Sequence, residues 1–79
     1  MYNIGTVVWI RVVKKSIGLR YIGPARIIGY QNVKMNIDFT FIGLYDVKLP
    51  INPFQNKIPS EYYDNTLNIR EDEILDVIT

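Results

Sequence analysis

A chain of 79 residues has room for one domain, and at that size folding buries roughly 60% of the surface the unfolded chain exposes. Hydrophobic residues make up 48% and charged residues 22%, which excludes a disordered chain and fits a compact globule. There is no cysteine and no histidine. A disulfide framework, a thiolate or imidazole metal site and the serine–histidine and cysteine–histidine forms of catalysis are therefore excluded.

Carboxylates alone are left for chemistry, and Asp38, Asp46, Glu61, Asp64, Glu71, Asp72, Glu73 and Asp76 fall in no catalytic motif. The expectation is a non-enzymatic protein with no cofactor and no metal. The longest run of aliphatic and aromatic residues is Val7–Ile10, far short of the roughly 20 needed to span a bilayer. The N-terminus lacks the pattern of a secretory signal, so a cytoplasmic location is expected. Thirteen isoleucines and seven asparagines fit an AT-rich coding sequence, as in many phages and some bacteria.

Along the chain, IGTVVWIRVV (residues 4–13) is rich in β-branched residues and reads as a first strand. Val8, Ile10 and Val12 share one face, and Val7, Trp9, Arg11 and Val13 share the other. Residues 14–23, with two glycines and three basic residues, read as a long loop. Pro24 suits the start of a second strand that continues through residues 25–30. The polar QNVKMNID (31–38) reads as a turn region. In FTFIGLYDVKL (39–49) Phe39, Phe41, Tyr45, Val47 and Leu49 alternate around Gly43, which marks them as core and the glycine as a candidate bulge.

Prolines 50, 53 and 59 make residues 50–65 a long loop between strands three and four, with Phe54, Tyr62 and Tyr63 in it. Residues 66–69 read as a short strand, 70–73 as a single helical turn and 74–78 as a last strand. A C-terminal helix of about ten residues is the alternative, because Asn68 followed by Glu71 fits an N-cap signature. The fold class expected is mostly β, a small five-stranded barrel.

The run YIGPARIIG (residues 21–29), with YDVKL in the third strand and IREDEILDV at the end, resembles the SH3-like barrels. The first run is similar to the tryptophan–glycine–proline strand of integrase C-terminal and chromodomain-like barrels, with Tyr21 and Ile22 where that group favours an aromatic just before the glycine, and the layout is similar to KOW and Tudor domains. That resemblance implies a fold and leaves function open, because such barrels bind DNA, RNA, peptides and proteins alike.

Residues 1–37 hold six basic residues and no acid, whereas residues 38–79 hold eight acids against three basic residues. The halves carry +6 and −5, hidden beneath a net charge of +1 and a pI of about 8.0. If the halves form separate faces, the basic one attracts phosphates or acidic partners; if they interleave, the charges pair. For nucleic acid the candidate face is Arg11, Lys14, Lys15, Arg20, Tyr21, Arg26 and Tyr30, basic residues interleaved with rings that stack on bases. For protein binding or self-association the candidates are Trp9, Phe54, Tyr62 and Tyr63, aromatics of the kind enriched at interfaces. Trp9 reads as core or interface, and Tyr21 and Tyr30 as stacking platforms or strand-end packing. The function expected is a protein-interaction module, as a homo-oligomer or as a small inhibitor or adaptor, with nucleic-acid binding by the basic half as the alternative.

Overall fold

The computed structural model describes residues 2–34, 41–51 and 65–79. It contains β1 (Val7–Lys14), β2 (Leu19–Lys34), β3 (Phe41–Lys48), β4 (Thr66–Arg70) and β5 (Ile74–Val77), with single 3-10 turns at Lys15–Ile17 and Glu71–Glu73. The strands form one antiparallel sheet in the order β4-β3-β2-β1-β5. The protein is mostly β, as the period-two patterning predicts. Its sheet is open, with β4 and β5 as the two ends of the row.

β1 alternates cleanly, with Val8, Ile10 and Val12 fully buried between exposed Trp9, Arg11 and Val13. It ends in the turn Lys15–Ile17, closed by Gly18 at φ 68°, a left-handed conformation that costs glycine little. The expected long loop over 14–23 is thereby reduced to one tight turn. β2 begins at Leu19 and pairs with β1 from Leu19↔Lys14 to Arg26↔Val7.

Gly23, the second glycine of the expected loop, lies within β2 for a packing reason. The Tyr21 ring crosses it so that its hydroxyl donates to the Pro24 carbonyl at 2.7 Å, and a Cβ on Gly23 would meet the Tyr21 hydroxyl at 2.7 Å. The glycine is what lets this ring lie flat against the backbone.

β2 is 16 residues long because it serves two partners in turn: β1 up to Arg26 and β3 from Arg26 to Lys34. The expected turn at 31–38 is corrected for Gln31, Asn32, Val33 and Lys34, which pair with β3 as Gln31↔Leu44, Asn32↔Gly43, Val33↔Ile42 and Lys34↔Phe41. The register shifts between Ile27 and Gly29, so the bulge sits at Ile28 and not at Gly43. One extra residue reverses the alternation and brings Tyr30 to the side of Tyr45, the rings 4.9 Å apart. Gly43 stays in register with Asn32, and a Cβ there would run into the Tyr30 ring.

The core takes Val8, Ile10 and Val12 from β1, Leu19, Tyr21, Ala25 and Ile27 from β2, Tyr45 and Val47 from β3, Leu49, and Leu67 and Ile69 from β4. Tyr45 is its largest fully buried side chain. Tyr2 packs on it edge to face at 5.6 Å and donates its N–H to the Tyr45 hydroxyl oxygen at 3.1 Å. Of the face expected around Gly43, Tyr45, Val47 and Leu49 are buried, Phe41 is 68% exposed at the start of β3, and Phe39 lies outside the described residues.

Lys14 at the end of β1 donates from Nζ to the Asn68 carbonyl of β4 at 2.9 Å, although β1 and β4 are not neighbours in the row. The C-terminal segment is turn and strand, not a ten-residue helix. The Arg70 N–H donates to Glu73 Oε1 at 2.8 Å, and β5 then pairs with β1 as Ile74↔Ile10, Asp76↔Trp9 and Val77↔Val8. No helix among the described residues is long and apolar enough to cross a membrane.

Burial pushes the Tyr21 hydroxyl above the usual phenol range near 10. The folded state holds the neutral phenol while the unfolded chain gives up its proton near the usual pKa, so stability is fully present below that pH and falls as pH rises above it. Alkaline titration of thermal stability is expected to show this loss in the wild type. It should be smaller in Tyr21→Phe, which has no proton to lose there.

Candidate functional site

The alternation that buries Val8, Ile10 and Val12 turns the intervening residues of β1 to the opposite face of the sheet, together with their register partners on β2. Across this outer face Arg11 stands opposite Ile22, Val13 opposite Arg20, Trp9 opposite Pro24 and Val7 opposite Arg26. Each arginine thus has an apolar residue as its register partner across the strands. Trp9 is 41% exposed and Ile22 is 51% exposed, and Val13 and Ile28 are also exposed. The core reading of Trp9 is overturned, because odd positions of β1 face away from the core.

Three of the basic candidates, Arg11, Arg20 and Arg26, share this face, and none has an ion-pair partner among the described residues. Of the acids that are described, Asp76 shares this face as the register partner of Trp9 and Asp46 faces outward between buried Tyr45 and Val47, but neither is within ion-pair distance of an arginine of the face. Asp72 and Glu73 pair with Arg70 at 3.3 and 3.9 Å. Asp46 accepts from Gln31 Nε2 at 3.1 Å. Asp76, the register partner of Trp9, accepts from the Val77 N–H at 2.8 Å.

The other basic candidates lie off the face. Lys14 points to the opposite side, where it reaches Asn68, and Lys15 is exposed in the turn after β1. Tyr21 is 8% exposed, with its hydroxyl bound to Pro24, and offers no ring for stacking. Tyr30 lies on the side of Tyr45, over Gly43, and donates to Asn32 Oδ1 at 3.3 Å. Of the aromatic interface candidates only Trp9 is placed; Phe54, Tyr62 and Tyr63 lie outside the described residues.

The structure therefore joins one member of the aromatic set to three of the basic set and adds Val13, Ile22 and Ile28. Ile22 was hidden from the sequence by the loop assigned to residues 14–23. Extending the period of two backward from Arg26 through Pro24, Ile22 and Arg20 is the signal that finds it. Among the described residues no group of three or more acidic side chains converges as a metal site would require. Comparison with protein-family models, with curated proteins and with solved structures finds no match.

Proposed function

We propose that this chain is a non-enzymatic protein-interaction module of SH3-like barrel form, and that it binds an acidic, partly apolar partner surface through the outer face of β1 and β2. The barrel reading is supported by the division of β2 between β1 and β3, the bulge at Ile28 where it bends, and the Lys14–Asn68 contact that brings β1 to β4. One observation carries the function: Trp9, Val13 and Ile22 lie exposed among Arg11, Arg20 and Arg26 with no acid paired to them among the described residues. Tryptophan and arginine are the residues most enriched at interface hot spots. Exposed aliphatics between them supply area that gains by leaving water.

The same geometry argues for a different partner over self-association through this face. A two-fold dimer sets a patch against its own copy, which here opposes three arginines to three arginines. An inhibitor or adaptor that covers an acidic partner fits the charge better. Nucleic acid is the second reading, favoured by the same unpaired arginines beside an exposed indole.

Retention on immobilised protein from a native host extract, with and without nuclease, separates the two. The expected result is one protein species retained by the wild type, insensitive to nuclease and lost with Ile22→Asp, a variant whose exposed position leaves thermal stability unchanged. Retention abolished by nuclease supports the second reading, and equal retention by Ile22→Asp removes this face from the function.

A further inference from the structure

Where β3 parts from β2, a cleft of about 340 Å³ opens, near the lower end of the roughly 300–1,000 Å³ typical of small-molecule sites. Its walls and floor are apolar: Val7, Pro24, Ala25, Leu49 and Pro50. Its polar contribution comes from Arg26 and Lys48, which are direct register partners on β2 and β3. Residues so placed have Cβ atoms about 5 Å apart, and like charges in that position repel. Both side chains are exposed, and neither has an ion-pair partner among the described residues. Two cations side by side over an apolar cleft, without an ion-pair partner among the described residues, suit a ligand that carries an anion on an apolar body.

From this the geometry points to a binding site for a carboxylate carried on a small apolar group, with Arg26 and Lys48 holding the carboxylate and Val7, Pro24 and Pro50 covering the apolar part. A carboxylate suits the pair because the guanidinium presents two parallel N–H donors to its two oxygens, while the ammonium supplies a point charge from the neighbouring strand. The apolar walls discriminate against a bare inorganic anion, which gains nothing from them and must still shed water. Two sources offer this chemistry: a free small carboxylic acid, and the C-terminal residue of a partner chain when that residue is apolar. The site adjoins the outer face, sharing Val7, Pro24 and Arg26 with it, but it needs no partner at Trp9, Val13 or Ile22 and stands if that reading fails.

The experiment is an amide chemical-shift titration of the isotope-labelled protein with N-acetyl-leucine, N-acetyl-leucine amide, inorganic phosphate, and a tetrapeptide ending in leucine with a free carboxylate. N-acetyl-leucine is expected to shift the Val7, Ala25 and Leu49 amides saturably, and its amide to bind at least about tenfold more weakly, the size of one charge-assisted hydrogen bond. Lys48→Gln should weaken N-acetyl-leucine by about fivefold to tenfold on the same scale. Arg20→Gln, at the far end of the outer face opposite Val13, should bind it as the wild type does, which separates this site from the rest of that face. Tighter binding of the tetrapeptide identifies a chain terminus as the ligand, and tighter binding of N-acetyl-leucine identifies a free acid. Equal binding of the amide, phosphate binding as tight as N-acetyl-leucine, or no saturable shift at these amides would each overturn the proposal. Lys48→Glu supplies the fold-independent control: it places an acid opposite Arg26, so it should abolish carboxylate binding while leaving the protein folded with a raised thermal midpoint.

Discussion

Replacing Tyr45 with alanine is expected to remove about 3–5 kcal/mol of stability, the range for deleting a buried aromatic ring, and to leave much of the chain unfolded at 25 °C. The ring is the largest fully buried side chain and links three elements: Tyr2 by edge contact and by its N–H, Tyr30 by a tilted contact, and Ile69 of β4 by strand pairing. A domain of this length has about 4–12 kcal/mol in total, so one such loss takes a large share. Tyr45→Phe isolates the hydroxyl. It keeps the ring and leaves the Tyr2 N–H without its acceptor, at a cost of about 0.5–1.5 kcal/mol. Urea denaturation followed by Trp9 fluorescence measures both, and equal costs for the two variants would mean that the hydroxyl, not the ring, is what the core depends on.

Reversing two charges on the outer face, Arg11→Glu with Arg20→Glu, should weaken an acidic protein partner by about 100-fold or more at low salt. Each side chain removed takes away a charge-assisted contact of about 1.5–3 kcal/mol, and the new acids repel the partner. Thermal stability should change little, because neither arginine has an ion-pair partner among the described residues and both are exposed. The variant also gauges the nucleic-acid reading. Three arginines on one face limit the salt dependence on duplex DNA to about −2.7 log units of affinity per log unit of salt, at about 0.9 for each phosphate contacted. Fluorescence anisotropy is expected to find only weak binding to duplex or single-stranded nucleic acid at physiological salt. Sub-micromolar binding with a slope near that value, lost in the double variant, would transfer the assignment to nucleic acid.

Much of the fold is legible in the sequence wherever one face of a strand is buried and the other is wet. Val8, Ile10 and Val12 alternate with exposed residues, and Tyr45 and Val47 with less buried ones, so the period of two reports the core directly. The turn at Glu71–Glu73 followed by β5 is legible for a related reason: β-branched Ile74 and Val77 after a cluster of acids favour a strand over a continued helix. The middle of β2, from Pro24 to Tyr30, is legible, but its start at Leu19–Gly23 was hidden because its glycines resemble punctuation. Gly23 is required by the Tyr21 ring that lies across it, a contact between side chain and backbone that no local pattern reveals. The bulge at Ile28 was hidden as well, since the run IIG offers no cue to which residue is left unpaired. Trp9 shows the limit for the site: its large apolar ring argues for the core, but its odd position on β1 decides against it.

The most direct measurement of the proposed interaction face is the dissociation constant of the retained protein partner for the wild type and for Trp9→Ala, with the thermal midpoint of each. An exposed indole at the centre of an interface contributes about 2 kcal/mol or more when truncated, a loss of about 30-fold in affinity. An exposed ring outside the core leaves folding nearly untouched. Affinity is expected to fall by that factor in Trp9→Ala at an unchanged midpoint. Equal affinity in the two proteins would contradict this expectation, and a midpoint that falls along with affinity would return Trp9 to the core.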